Sequence, residues 1–125
     1  MKKYDVGDIV FVSKYSYQNK NNGQNHLFVI ISDDDLFVSA EYFGMIVSSH
    51  REKSKTVSKF IHNEPLDKTK ENGLNTDSIV KCDEVFTIPQ RNIQFKIGSV
   101  DVDDYMRFME SYKKYLSEIV NNQTN

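Results

Sequence analysis

The sequence predicts a mainly β chain ending in a helix, an α+β arrangement in which a small, strongly bent barrel packs against that helix. Three observations predict it. Short runs rich in β-branched residues recur as far as Pro89; the apolar period changes from two to about 3.6 after Asp101; and Pro65, Gly73 and Pro89 punctuate the runs where strands must stop.

Taken in order, Ile9 to Ser13 and Leu27 to Ile31 are nearly continuous apolar runs, as expected of strands buried on both sides. Between them lies YSYQNKNNGQN, residues 15–25, with the composition of a long loop. Loops on rigid scaffolds often carry function, although this composition equally suits a tolerated insertion. Residues 41–49 form a third strand candidate, 56–62 a fourth, and 77–82 with 84–88 a fifth and sixth. Pro65 and Gly73 delimit a further loop, and Pro89 stops the last long strand. Beyond Asp101, residues Tyr105, Phe108, Met109, Tyr112, Leu116, Ile119 and Val120 recur at three- and four-residue steps, which makes one apolar face suited to packing on the sheet. Asp101 is placed to cap that helix, with Asp103 and Asp104 at the positive end of its dipole. The helix is expected over about 102–120, with a disordered tail at 121–125.

A chain of 125 residues fits a single domain over 1–125, long enough to bury a core without metals or disulfides. The lone Cys82 cannot form an internal disulfide, which suits a reducing compartment, and no apolar run reaches the length of a signal peptide or membrane span. A cytoplasmic protein with no membrane association is therefore expected. The formal net charge of -2 gives no argument for nucleic-acid binding, but its distribution is uneven. HREKSKTVSK, residues 50–59, gathers Arg51, Lys53, Lys55 and Lys59 against Glu52 alone, a run that also suits a solvated loop. His26, His50 and His62 are too far apart to read as a metal-ligand motif, and there is no glycine-rich phosphate loop or nucleophile elbow, so no metal or cofactor is expected.

Chemistry concentrates in residues 71–88, ENGLNTDSIVKCDEVFTI. Period-two alternation over a strand puts Ser78, Val80, Cys82, Glu84 and Phe86 on one side and Ile79, Lys81, Asp83, Val85 and Thr87 on the other. Lys81 and Asp83 would then project side by side, roughly 7 Å apart at the backbone. Such a pair can hold a phosphate and move a proton, or stand as a surface ion pair worth little to stability.

This segment resembles the PemK/MazF family of endoribonuclease toxins, in which a Gly-Leu-x-x-x-Ser-x-Val turn and strand leads into Asp-x-x-x-Thr-Ile. The resemblance extends to Gly7-Asp8-Ile9-Val10, to His26–Ser32 (HLFVIIS), to Met45–Ser49 (MIVSS) and to Lys96–Leu116, in the family's order. It implies an SH3-like barrel, a homodimer, RNA binding and DNA binding, and an antitoxin as protein partner.

Metal-free RNA cleavage needs a base for the ribose 2'-hydroxyl, an acid for the departing 5'-oxygen and donors for the phosphoryl oxygens. The resemblance implies that Asp83 is the base and that Lys81 replaces the family's Arg, keeping a point charge but losing the bidentate fork. His26 stands where many members carry Arg, exchanging a permanent charge for a group that titrates near neutrality. Ser48 and Ser49 match a Thr-Ser or Thr-Ala pair whose first hydroxyl bonds the scissile phosphate. His50, Arg51 and Lys53 follow and are placed to track the RNA backbone, while His62 has no motif support and reads as structural. The expected function is that of a sequence-selective endoribonuclease for single-stranded RNA, leaving a 2',3'-cyclic phosphate, as the toxin of a toxin–antitoxin pair. The alternatives are a degenerate relative serving as an RNA-binding or protein-interaction module, and a mobile-element regulator that binds a protein through its acidic and aromatic surface.

Overall fold

The structure, a computed structural model, describes residues 3–13, 25–33, 41–49 and 62–123. The strands are β1 (Asp8–Val12), β2 (His26–Asp33), β3 (Glu41–Ser48), β4 (Asn63–Leu66), β5 (Ser78–Lys81), β6 (Phe86–Pro89) and β7 (Ile93–Ser99), and a single long helix, α1, follows at Val102–Gln123. Every strand pairing is antiparallel, in the order β4-β5-β3-β2-β1-β7. The remaining strand, β6, joins the outer edge of β3 through Glu41–Gly44, and β5 takes the same edge at Val47 and Ser48. Among the described residues the sheet is therefore open along its path, and β5 and β6 lie end to end beside β3.

The apolar runs of β1, β2 and β3 are buried on both faces, as their composition requires. Ile9, Val29, Ile31, Met45, Val47 and Val80 face α1, whose Phe108 is fully buried among them. On the reverse face Val10, Val12, Phe28, Ile30, Tyr42, Ile46 and Ile88 form a second core. Each core removes several large side chains from water, and at about 25 cal/mol per Å² of apolar area this burial is the main source of stability.

Polar contacts fix how these layers meet. The Asp8 carboxylate, 4% exposed, accepts from the Asp5 N–H and the Ser99 hydroxyl and pairs with Lys96 at 3.1 Å, so a costly buried charge ties the start of β1 to the end of β7. The buried Tyr42 hydroxyl donates to Gln90 at 2.7 Å and accepts from the N–H groups of Lys3 and Tyr4. Asp101 caps α1 through the Asp104 N–H at 2.7 Å. The helix docks on β2 through Tyr105, which donates to the Ile31 carbonyl, and on β4 through Arg107 and Glu64.

Three expectations need correction. The segment 77–88 is not one long alternating run: β5 ends at Lys81, Cys82 and Asp83 form a turn, and pairing resumes at Phe86, because β3 passes from one partner to the other at this point. Pro65 lies within β4 rather than at the edge of a loop, tolerated because β4 is an edge strand. The helix extends to Gln123, past the expected start of a disordered tail, since adding a residue to a formed helix fixes little backbone for each hydrogen bond gained. Residues 56–61 of the fourth strand candidate, 15–24 of the loop candidate and the last two residues of the tail lie outside the described residues. Among the described residues no helix is long and apolar enough to cross a membrane.

The loop from Asp67 to Asp77 folds back over β7. Asn72, buried, accepts at its side-chain oxygen from the Thr69 and Leu74 N–H groups and donates to the Asp67 carbonyl. Gly73 takes a left-handed φ of 72° against the backbone of Ile97, and Ser99 donates its N–H to the Glu71 carbonyl. A Cβ on Gly98 would meet the backbone of Glu71 and Asn72. Gly98→Ala is therefore expected to push the loop off β7 and cost about 1–3 kcal/mol, measured as a lower urea midpoint with an unchanged denaturant slope.

Candidate functional site

Strand register determines which candidate side chains meet. β2 and β3 pair Leu27 with Val47, so one step further His26 lies opposite Ser48. β3 and β5 pair Ser48 with Ile79, and Lys81 follows Ile79 on the same face. Directly opposed antiparallel residues project to the same side, so His26, Ser48 and Lys81 share one face, with Lys81 diagonal to Ser48 at about 7–8 Å. Phe28 and Ile46 continue that face as an apolar floor, and the His26 ring meets Phe28 edge-on at 6.1 Å. Ser48 is buried and Ser49 exposed.

At the end of the sheet His26 and Ser48 also border a cleft of about 540 Å³ whose floor is the opposite face. His26, Ser48, Ser49 and Ser78 stand at one side; Phe11, Leu27, Val47 and Phe95 form the floor; and Leu74, Asn75 and Thr76 of the folded-back loop form the facing wall. Neither Lys81 nor Asp83 lines the cleft. Asp83 sits half-buried in the turn after β5, and no ion pair joins it to Lys81 among the described residues. The structure thus brings His26, Ser48 and Ser49 together, keeps Lys81 on their face, and sets Asp83 beyond the strand end. His50, Arg51 and Lys53 lie outside the described residues.

The comparisons with known proteins bear on this arrangement. A family model described as PemK-like, MazF-like toxin of type II toxin-antitoxin system matches residues 5–114. The chain belongs to this family. Membership makes it a toxin component of a toxin–antitoxin system, and the antiparallel sheet with its C-terminal helix is the PemK/MazF-like fold. The solved structure of the Mycobacterium tuberculosis toxin MazF-mt6 is similar in fold, at 18% identity and a TM-score of 0.59, over 86% of this chain and 96% of that one. A search of the curated proteins finds no match.

In this PemK/MazF-like chain the side of Cys82 is structural. The thiol is fully buried beneath α1, and its pKa is pushed from 9.0 up to about 12, by burial first and then by the charges of Glu64 and Asp83, with Arg107 acting in the opposite sense. Arg107 bonds both Glu64 and Asp104 at 2.9 Å; burial works against its charge, but the two carboxylates outweigh that and raise its pKa. His62, read from sequence as structural, joins β4 to α1 through Glu118 at 3.0 Å and through its carbonyl, which accepts from Ser111. What sequence reasoning missed is the cleft's second aromatic, Phe95, and its wall, Asn75 and Thr76. The alternation Ile93, Phe95, Ile97 was the available signal for the first, whereas nothing local announces that the loop folds back.

The nucleophile of Cys82 is its thiolate, so a pKa near 12 makes the folded thiol inert. Alkylation by iodoacetamide at mildly alkaline pH is expected to run roughly 100-fold or more slower than in unfolded protein. The unfolded thiol ionises at its ordinary 9.0 while the folded one holds its proton to about 12, so the stability this group contributes is complete below pH 9 and declines above it, a decline that Cys82→Ala should reduce in alkaline melts.

Proposed function

We propose that this chain is a metal-independent, sequence-selective endoribonuclease that cleaves single-stranded RNA, acting in the cytoplasm as a single-domain, homodimeric toxin held in check by a cognate antitoxin protein. The observation that carries this reading is the face shared by His26, Ser48 and Lys81, because it gathers a hydrogen-bond donor, a cation and an imidazole, of which Ser48 and His26 also border a cleft at the end of the sheet.

The reaction suits these groups. The ribose 2'-oxygen bonds to phosphorus as the bond from phosphorus to the 5'-oxygen breaks; the 2'-hydroxyl proton passes to a base, and another proton reaches the leaving oxygen. Asp83 is the base and Lys81 the cation facing the developing charge on the phosphoryl oxygens, with Ser48 donating to one of those oxygens. His26 supplies the second proton-transfer group at the cleft entrance. The product is a 2',3'-cyclic phosphate and a 5'-hydroxyl. Single-stranded substrate follows from the need to swing the 2'-hydroxyl into line with the leaving oxygen.

One observation favours a second reading, an RNA-binding module without turnover: Asp83 lies off the strand and, among the described residues, no carboxylate lines the cleft. A single assay separates the two. Purified protein in EDTA is expected to cut single-stranded RNA to cyclic-phosphate ends, with Ser48→Ala lowering the rate about 100-fold or more and Asp83→Ala about 100- to 10,000-fold. Undiminished cleavage in both variants overturns the site, and RNA binding with no cleavage by the wild type establishes the module.

A further inference from the structure

The loop that folds back over β7 carries a chemically reactive pair. Of the two Asn-Gly pairs in the chain, Asn22-Gly23 lies outside the described residues, and Asn72-Gly73 sits at the centre of the 67–77 return. An asparagine followed by glycine readily loses its side-chain amide, because no Cβ on the glycine keeps its backbone nitrogen from the asparagine Cγ. In that reaction the Gly73 nitrogen gives up its proton and bonds to Cγ of Asn72. The bond from Cγ to Nδ2 breaks, and the departing nitrogen takes up a proton and leaves as ammonia. Water then opens the five-membered imide at either carbonyl, leaving aspartate, or isoaspartate with the main chain rerouted through the side chain.

In the folded loop each of these atoms is held. Asn72 is 2% exposed; its side-chain oxygen accepts from the Thr69 and Leu74 N–H groups, each at 3.0 Å, and its nitrogen donates to the Asp67 carbonyl at 2.9 Å. The attacking group is tied as well, since the Gly73 N–H donates to the Thr69 carbonyl at 3.2 Å and the Gly73 backbone lies against that of Ile97. Attack on Cγ requires these bonds to break, and water reaches the imide only after the loop has lifted.

The product does not fit the place it came from. Aspartate keeps one oxygen on the Thr69 and Leu74 N–H groups, but its other oxygen replaces the donor that faced the Asp67 carbonyl, which sets a buried carboxylate against an acceptor. Isoaspartate adds a carbon to the main chain beside Gly73, whose left-handed φ of 72° fits it against Ile97. We infer that Asn72-Gly73 is a fold-protected deamidation site: the reaction is blocked while residues 67–77 lie on β7, proceeds when they lift, and then abolishes the return of the loop and with it the cleft wall at residues 74–76. A transient opening thereby becomes a lasting loss of the cleft. The inference stands apart from the RNA reaction.

The test follows the tryptic peptide 71–81, cut after Lys70 and Lys81, by fragment-ion mass spectrometry after incubation of the whole protein at mildly alkaline pH in buffer and in urea. Asn22, measured in urea, supplies the unhindered reference. Asn72 is expected to convert in urea at a rate comparable with Asn22, and in buffer about 10-fold or more slowly, because only the opened fraction reacts. Gly98→Ala, which crowds the same loop, should raise the rate in buffer about 5- to 150-fold towards the urea rate and leave the urea rate unchanged. Asn72→Asp, which carries the product's charge, should lower the urea midpoint and speed hydrogen exchange at the Ser99 amide, the donor to Glu71. Equal conversion in buffer and urea overturns the protection, and so does a Gly98→Ala rate no higher than that of wild type. A wild-type midpoint and wild-type Ser99 exchange in Asn72→Asp overturn the loss of the wall, whereas an Asn72→Asp chain that fails to fold bears it out and leaves the protection to be judged on wild type and Gly98→Ala.

Discussion

Register through β1, β2, β3 and β5 is the constraint on which the site depends. A slip of one residue would move every side chain of a strand to the other face. In most sheets exposure of apolar residues forbids this, but here both faces are apolar and the slip would merely exchange Phe28 with Val29 and Ile46 with Val47. Volume mismatch opposes that exchange, since close-packed interiors do not absorb it cheaply. Polar contacts oppose it further. Asp8 is held to Ser99 and Lys96, and Tyr42 to Gln90 and the amides of Lys3 and Tyr4. These contacts lie away from the cleft, yet they determine that His26, Ser48 and Lys81 face one way and Phe95, Phe11 and Leu27 the other.

The second requirement is a wall. A sheet face alone makes a floor, and the cavity exists because residues 67–77 return over β7 instead of extending into solvent. That return is encoded in Asn72, whose side-chain amide replaces backbone partners inside the turn, and in Gly73 and Gly98, where backbone approaches leave no room for a Cβ. The Gly-Leu pair that marks the family motif thus has a physical role in this chain. Gly73 permits the left-handed turn, and Leu74 buries itself at the rim of the main core.

Much of this was legible before the fold was seen, and the exceptions have identifiable causes. The runs of β1 and β2 are unmistakable because burial on both faces demands continuous apolarity, and α1 announces itself through Asp101 and its 3.6-residue period. β7 was obscured because Gln94 and Lys96 make it look polar and its end abuts the helix cap, although Ile93, Phe95 and Ile97 alternate. Asp83 was misplaced because alternation continues in the sequence after pairing has ended; only the handover of β3 from β5 to β6 reveals the break. Within the site, residue types were legible one at a time. That His26 and Ser48 are cross-strand neighbours was not, since adjacency across strands is a property of register.

These features explain how an acidic chain can be suited to a polyanion. Two fixed cations of the described fold are committed: Lys96 to Asp8, and Arg107 to Glu64 and Asp104. Among the described residues the cleft is lined by rings, aliphatic side chains, amides, hydroxyls and His26. On the proposed function, affinity then comes substantially from unpaired bases, which salt screens far less than phosphate contacts. On that reading a duplex, whose bases stay stacked, would offer the protein only its backbone.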